Sequence, residues 1–305
     1  MGSKAKLQMV THKWGRLLNA GHPGFLEEVL SRIQDSERKY TGMEGDSFLV
    51  DHTVQVCALV SRLCRLQQID PEVPVLVGLF HDAGKFHHGS YHATDVPEEE
   101  HSALFARELL KNYGFDSHII DSVSAAIRAL YDESATRTVT SDLVHDADFL
   151  VKSGCIGVAQ FFIKATLRQK AFLSTVAHSL SKELTYALAL VHNMRTPAGS
   201  KLARVKQIRA QDFFQALIDE LREDEILDLR MDTFDAEIEP GADTHIPIVI
   251  VRETACTQCG SGTEVRFRQE QGLKCMKLIA EVVCSDCFEQ NIISFCLPEI
   301  VAASA

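Results

Sequence analysis

The chain has 305 residues, 46% of them hydrophobic and 24% charged, with a formal net charge of −11. That length can bury one large core beside a small second domain, and the acidic balance argues against a dedicated nucleic-acid binder. No apolar run approaches the roughly 18 residues of a membrane span, and "MGSKAKLQMV" lacks a hydrophobic signal segment, so a cytoplasmic protein with no membrane partner is expected.

After an N-terminal extension over 1–20, residues 22–220 read as successive helices. "GFLEEVLSRIQ" sets Phe25, Val29, Leu30 and Ile33 on one stripe, and "SFLVDHTVQVCALVSRLCRL" repeats apolar residues at helical period. "VPVLVGLF" is among the most apolar segments, and "HSALFARELLKNYG" ends at Gly114 as a glycine-capped helix does. "SDLVHDADFLVKSG" begins with a capping-type Ser141, and further helices are predicted over 155–169, 179–192 and 199–221. From residue 228 the texture changes. "DLRMDTFDAEIEPGADTHIP" is acidic and turn-rich and reads as a linker, after which β-branched runs such as "IPIVIVRE" and "KLIAEVVC" predict strands. The expected fold class is mainly α: a helical domain over 21–227, a linker over 228–247 and a small β-rich domain over 248–305.

Nine cysteines in a chain without an export signal point to metal rather than disulfides. Cys256–Cys259 and Cys284–Cys287 are two C-x2-C pairs separated by 24 residues, and Gly260 suits the tight turn after the first. Four thiolates at such spacing make a closed tetrahedral zinc site, structural rather than catalytic. Across 252–296 five basic residues face six acidic ones, which leaves no stripe for a phosphate backbone. The β-rich domain is therefore expected to serve folding or protein contact. Cys57, Cys64, Cys155, Cys275 and Cys296 fall outside this pattern and read as core residues.

In the helical part, several polar residues fall on apolar faces. His52 is in register with Phe48, Val56, Leu59 and Leu63; His81 and Asp82 end the "VPVLVGLF" helix; Asp148 lies four residues after Val144 and three before Val151. Buried carboxylates are costly unless they are paired or bind metal, so two of them beside two histidines suggest a metal site. His87, His88 and His92 stand in a Gly- and Ser-containing loop without helical register and read as solvated.

His52, the "HDAGK" of 81–85 and the "HDADFL" of 145–150 resemble the H…HD…D signature of the HD-domain metal-dependent phosphohydrolases, over roughly residues 25–221. The resemblance implies that His52, His81, Asp82 and Asp148 hold one divalent transition ion such as Mn, Fe, Co or Ni, and it makes Asp146 a neighbour or a helix-surface residue. It further implies that Asp82 accepts a proton from the attacking water, and it makes Lys85 a candidate contact for a phosphate oxygen. Relatives with two ions add two histidines; His101 matches the first, while Leu130 and Tyr131 stand at the second, which implies a single ion with His101 near the substrate. "DADFLVKSGCIGVAQFF" and the later "NMRTPAGSKLARV" are similar to the tail of bacterial HD nucleotide pyrophosphohydrolases, although Phe149 replaces their usual Arg. The two resemblances together imply an enzyme cleaving a phosphoester or phosphoanhydride bond of a nucleotide or related small phosphorylated compound. The alternative is a non-catalytic HD-fold binding or scaffold protein using the zinc domain for protein contacts. Self-association into a homo-oligomer is compatible with either.

Overall fold

The computed structural model describes residues 14, 15, 18, 21–42, 45–86, 96–132, 134–237, 245–271 and 276–296. His87, His88, His92 and Cys275 lie outside the described residues, as does the side chain of Cys296. Among the described residues no single helix is long and apolar enough to cross a membrane. The chain divides into two compact units, one of residues 1–151 with 195–199 and one of residues 152–194 with 200–305.

The first unit holds α1 (Phe25–Thr41), α2 (Phe48–Gln67), α3 (Glu72–Phe80), α4 (Glu98–Asn112), α5 (Ser117–Arg128) and α6 (Val139–Val151). The α1 stripe buries Phe25, Val29, Leu30 and Ile33 as predicted, and Glu37 with them. That buried carboxylate is satisfied by the start of α2: it accepts from the Ser47 hydroxyl and from the Leu49 N–H at 3.3 Å, while Ser47 Oγ accepts from Val50 N–H at 3.0 Å. An acid at a helix N-terminus is favoured by the dipole as well as by the free N–H groups. α3 is apolar all round and buried from Pro74 to Phe80, the pattern of a central helix. A Cβ on Gly78 would lie 3.3 Å from Val60, so glycine here lets α3 pack closely on α2.

α4 ends as expected: Gly114 adopts φ +75°, and Phe115 N–H reaches back to Leu110 C=O at 3.0 Å. At α6 the expectation needs correcting. The cap is Thr138 rather than Ser141, in a reciprocal pair where Ser141 N–H donates to Thr138 Oγ1 (3.1 Å) and Thr138 N–H to Ser141 Oγ (2.9 Å).

The second unit contains α7 (Gly154–Leu167), α8 (Phe172–Asn193), most of α9 (Pro197–Glu223) and five strands: β1 (Leu229–Glu237), β2 (His245–Glu253), β3 (Thr263–Gln271), β4 (Met276–Cys284) and β5 (Gln290–Cys296). β1 and β2 form one antiparallel pair, and β3–β4–β5 form an antiparallel meander. The acidic stretch expected as a linker thus contains a full strand. Its polar side chains find partners, Asp232 accepting from Arg230 (2.9 Å) and Arg252 (2.8 Å), while Leu229 is buried. α8 packs along β2, where the hydroxyls of Thr185 and Ser181 accept from Val249 N–H (3.0 Å) and Val251 N–H (2.8 Å). One turn apart on the helix, these two side chains satisfy backbone groups that a neighbouring strand would otherwise pair.

Candidate metal centre

Three helices bring four donor side chains together. His52 comes from the second turn of α2, His81 and Asp82 from the end of α3, and Asp148 from the last turns of α6. His52 Nε2 lies 3.0 Å from Asp148 Oδ1, 3.3 Å from His81 Nε2 and 3.6 Å from Asp82 Oδ2. His81 Nε2 lies 3.6 Å from Asp82 Oδ2 and 3.9 Å from Asp148 Oδ1. Donors about 2.1 Å from a common ion and at right angles to each other stand about 3.0 Å apart, and wider angles stretch this toward 4 Å. The His52, His81 and Asp148 donors therefore fit one divalent ion. His52, His81 and Asp148 close on one another within 4.8 Å; Asp82 stands beside this trio with Oδ2 held by Lys85 Nζ at 2.9 Å.

His52 sits differently from its expected place in the core. Phe48, assigned to its face, is 49% exposed, and the imidazole, 17% exposed, sits at the rim of the buried face. His81 is buried and oriented. A carbonyl can only accept, so Nδ1, 2.8 Å from Gly78 C=O, carries the proton and leaves the Nε2 lone pair to the site. The turn after His81 is clamped by Ser102 on α4, whose hydroxyl accepts from Gly84 N–H (2.8 Å) and donates to His81 C=O (3.0 Å). Gly84 is required there, because a Cβ would meet Ser102 N at 2.5 Å and Glu98 O at 2.6 Å. Burial pushes the Asp82 carboxyl up, but the His81 imidazole, the Lys85 ammonium and the His52 imidazole around it outweigh that and hold the group below its ordinary value.

His101, beside Gly84 on α4, is not among the clustered donors. With Arg32, Ser36, Lys39 and Phe105 it lines a cavity of about 440 Å³. Tyr131, a residue without an assigned role in the sequence, donates to Asp148 Oδ2 at 2.7 Å. Burial first, and then the Asp148 charge, push the phenol well above its ordinary value, so the hydroxyl stays a donor.

Asp146 is not at the helix surface; it is fully buried. It faces the 195–199 segment, accepting from Arg195 N–H (2.8 Å), Thr196 N–H (2.9 Å) and Thr196 Oγ1 (2.7 Å). Thr196 in turn caps α9 by accepting from Gly199 N–H at 3.0 Å.

Residues 49–150, the segment that carries all four donors, match the model of the HD domain family. The segment is an HD domain. Such domains bind a divalent metal, with which the His52, His81 and Asp148 cluster is compatible. A comparison with curated proteins found no match. Similar solved structures include a protein described as a predicted HD superfamily hydrolase from an uncultured Thermotogales bacterium, at 22% identity, covering 64% of this chain and 92% of that one with a TM-score of 0.46. Bacillus subtilis YpgQ, solved with ADP, is 15% identical over 64% of this chain and 97% of its own, with a TM-score of 0.48. A Bacillus thuringiensis HD-superfamily hydrolase is 17% identical over 65% and 98%, also at 0.48.

Outside the HD domain, Cys256, Cys259, Cys284 and Cys287 gather within 4.8 Å of one another. Cys256 Sγ is 3.4 Å from Cys287 Sγ, and Cys259 Sγ is 3.4 Å from Cys284 Sγ. These separations far exceed a disulfide bond and approach the ~3.8 Å between thiolates around tetrahedral zinc. Gly260, at φ +75°, closes the first knuckle with its N–H on Cys256 C=O at 2.8 Å. Hydrogen bonding from the Ser261 backbone and side chain holds the Cys259 thiol down, while hydrogen bonding to the neighbouring cysteines pushes Cys287 up, so these sulfurs titrate together.

Proposed function

We propose that this chain is a metal-dependent phosphohydrolase that cleaves a phosphoester or phosphoanhydride bond of a nucleotide or a related small phosphorylated compound. The observation that carries the reading is the convergence of His52, His81 and Asp148 within 4.8 Å, with Asp82 3.6 Å from both imidazoles. Two imidazoles and two carboxylates suit one ion such as Mn, Fe, Co or Ni. When bound, that ion supplies Lewis acidity toward a phosphoryl oxygen and makes water a stronger acid. The side chains divide the remaining work. Asp82, kept ionised beside the Lys85 ammonium, accepts the proton of the attacking water. Lys85, 2.9 Å from Asp82 Oδ2, provides a cation that can turn to a non-bridging phosphate oxygen. His101 contacts the remainder of the substrate. The four-cysteine site holds a structural zinc, and its domain, without a net basic face, serves protein contact rather than nucleic acid.

The test is metal analysis of the full chain and of His81→Ala/Asp82→Ala, alongside hydrolysis of a panel of nucleotides and simple phosphoesters. The wild type should hold one transition ion beyond zinc and release phosphate or pyrophosphate; the variant should lose both properties while keeping its zinc. A wild type with metal only at the cysteines and no turnover across the panel would sink the proposal and leave a binding or scaffold role.

A further inference from the structure

We infer that Tyr131 and Arg195 are positioning residues that fix the Asp148 carboxylate at the metal centre, Tyr131 directly and Arg195 through the turn that carries Tyr131. The inference rests on the reading of His52, His81 and Asp148 as a metal site.

The two oxygens of Asp148 have separate surroundings. Oδ1 faces His52 Nε2 at 3.0 Å and His81 Nε2 at 3.9 Å, while Oδ2 accepts the Tyr131 hydroxyl at 2.7 Å. A carboxylate turns about a broad, two-fold terminal torsion, so nothing in its own covalent structure keeps one oxygen aimed at the imidazoles. A donor fixed on the second oxygen does. Core packing alone does not set the contact: the residue is 40% exposed overall, and only its hydroxyl end is sunk into the site. There the hydroxyl ends on a carboxylate that is 4% exposed.

Tyr131 lies in the connection between α5 and α6, and a loop residue holds a precise position only if the loop itself is anchored. Arg195 supplies the anchor: its guanidinium Nη1 donates to the carbonyl of Leu130 at 3.1 Å and lies 3.8 Å from Asp142 Oδ1. Arg195 is held in turn by its backbone N–H on Asp146 Oδ1 at 2.8 Å. The path therefore leaves α6 at Asp146, crosses Arg195 and Leu130, and returns through Tyr131 to Asp148, two residues along the same helix. Removal of a group that orients a metal ligand typically weakens metal binding 10- to 100-fold.

The experiment is Mn2+ binding to the full, zinc-replete chain, monitored by electron paramagnetic resonance with chelator competition, for wild type, Tyr131→Phe, Arg195→Met and the double variant. Mn2+ is chosen because the thiolate site disfavours it. Tyr131→Phe keeps the ring and should weaken Mn2+ by about 10-fold, with the helical content and the zinc content of the protein unchanged. Arg195→Met should weaken it less, and the double variant should match Tyr131→Phe alone, since both act on one carboxylate. Wild-type affinity in Tyr131→Phe would overturn the role of Tyr131. Full additivity in the double variant would overturn the coupling through Arg195. A wild type that takes up no Mn2+ would instead fail the metal-site reading, and this inference with it.

Discussion

Replacing Asp146 by Asn removes a charge while keeping the volume, and the structure allows the cost to be worked out. Asp146 Oδ1 accepts Arg195 N–H, and Oδ2 accepts both Thr196 N–H and Thr196 Oγ1–H, at 2.7–2.9 Å. An amide has only one oxygen, so either orientation sets an NH2 against a backbone N–H in a fully buried place. A charged hydrogen bond is worth about 1.5–3 kcal/mol and an unsatisfied buried donor costs about 1–3 kcal/mol, so a net loss of about 3 kcal/mol is expected. For a unit of this size each kcal/mol shifts the melting temperature by about 2–4 °C, giving a drop of about 6–12 °C for the metal-free protein by scanning calorimetry. Mn2+ binding should persist, weakened less than by Tyr131→Phe. Asp148→Asn should do the opposite: metal binding is lost, and the metal-free protein melts no lower than wild type, because the repulsion between Asp148 and Asp82 is relieved. An Asp146→Asn protein that melts like wild type would refute the clamp, and loss of Mn2+ in Asp146→Asn with retention in Asp148→Asn would reverse the assignment.

Three further outcomes are expected. Ser102→Ala strands the buried N–H of Gly84 and the carbonyl of His81; a loss of about 2 kcal/mol and weaker Mn2+ binding should appear together in calorimetry and metal titration. Gly199→Ala would set a Cβ 2.1 Å from Asp146 Oδ2, and since that carboxylate is held on every side, a cost of about 1–3 kcal/mol should show in the melting temperature. A strong chelator should release zinc and expose the four thiols of Cys256, Cys259, Cys284 and Cys287 to a disulfide reagent. Cys57 and Cys64 should stay unreactive until denaturant is added, because burial pushes Cys57 far above the ordinary thiol range and Cys64 to about 11.

The parts of the fold that were legible in the sequence are those where one local period decides the outcome. The α1 stripe and the uniformly apolar α3 bury what their spacing predicts. β1 is hard to see in the sequence because charge dominates "LRMDTFDAE", although Leu229, Met231 and Thr233 alternate with residues of the other face; Asp232 is tolerable in the strand because Arg230 and Arg252 reach it. The groups that hold the metal donors in place left no such trace. Ser102 reaches His81 across 21 positions, and Arg195 reaches Leu130 across 65. A serine in a helix and an arginine before a proline have many uses, and only the folded chain selects one.

The two acids of "HDADFL" mark where a local reading stops. Residues two apart on an α-helix point about 200° away from each other, so only one of Asp146 and Asp148 can face His52 and His81, and the other must face something else. The register of Val144 and Val151 favours Asp148, yet both acids are buried, and burial without a stated partner is a cost rather than an explanation. What resolves the pair is a segment some fifty residues away: Arg195 and Thr196 bring two backbone N–H groups and a hydroxyl to Asp146, and Gly199 leaves the space for it. With both Asp146 oxygens taken up by the segment leading into α9, Asp148 is the acid left facing the two imidazoles, and Tyr131 on its outer oxygen leaves the inner one turned to them.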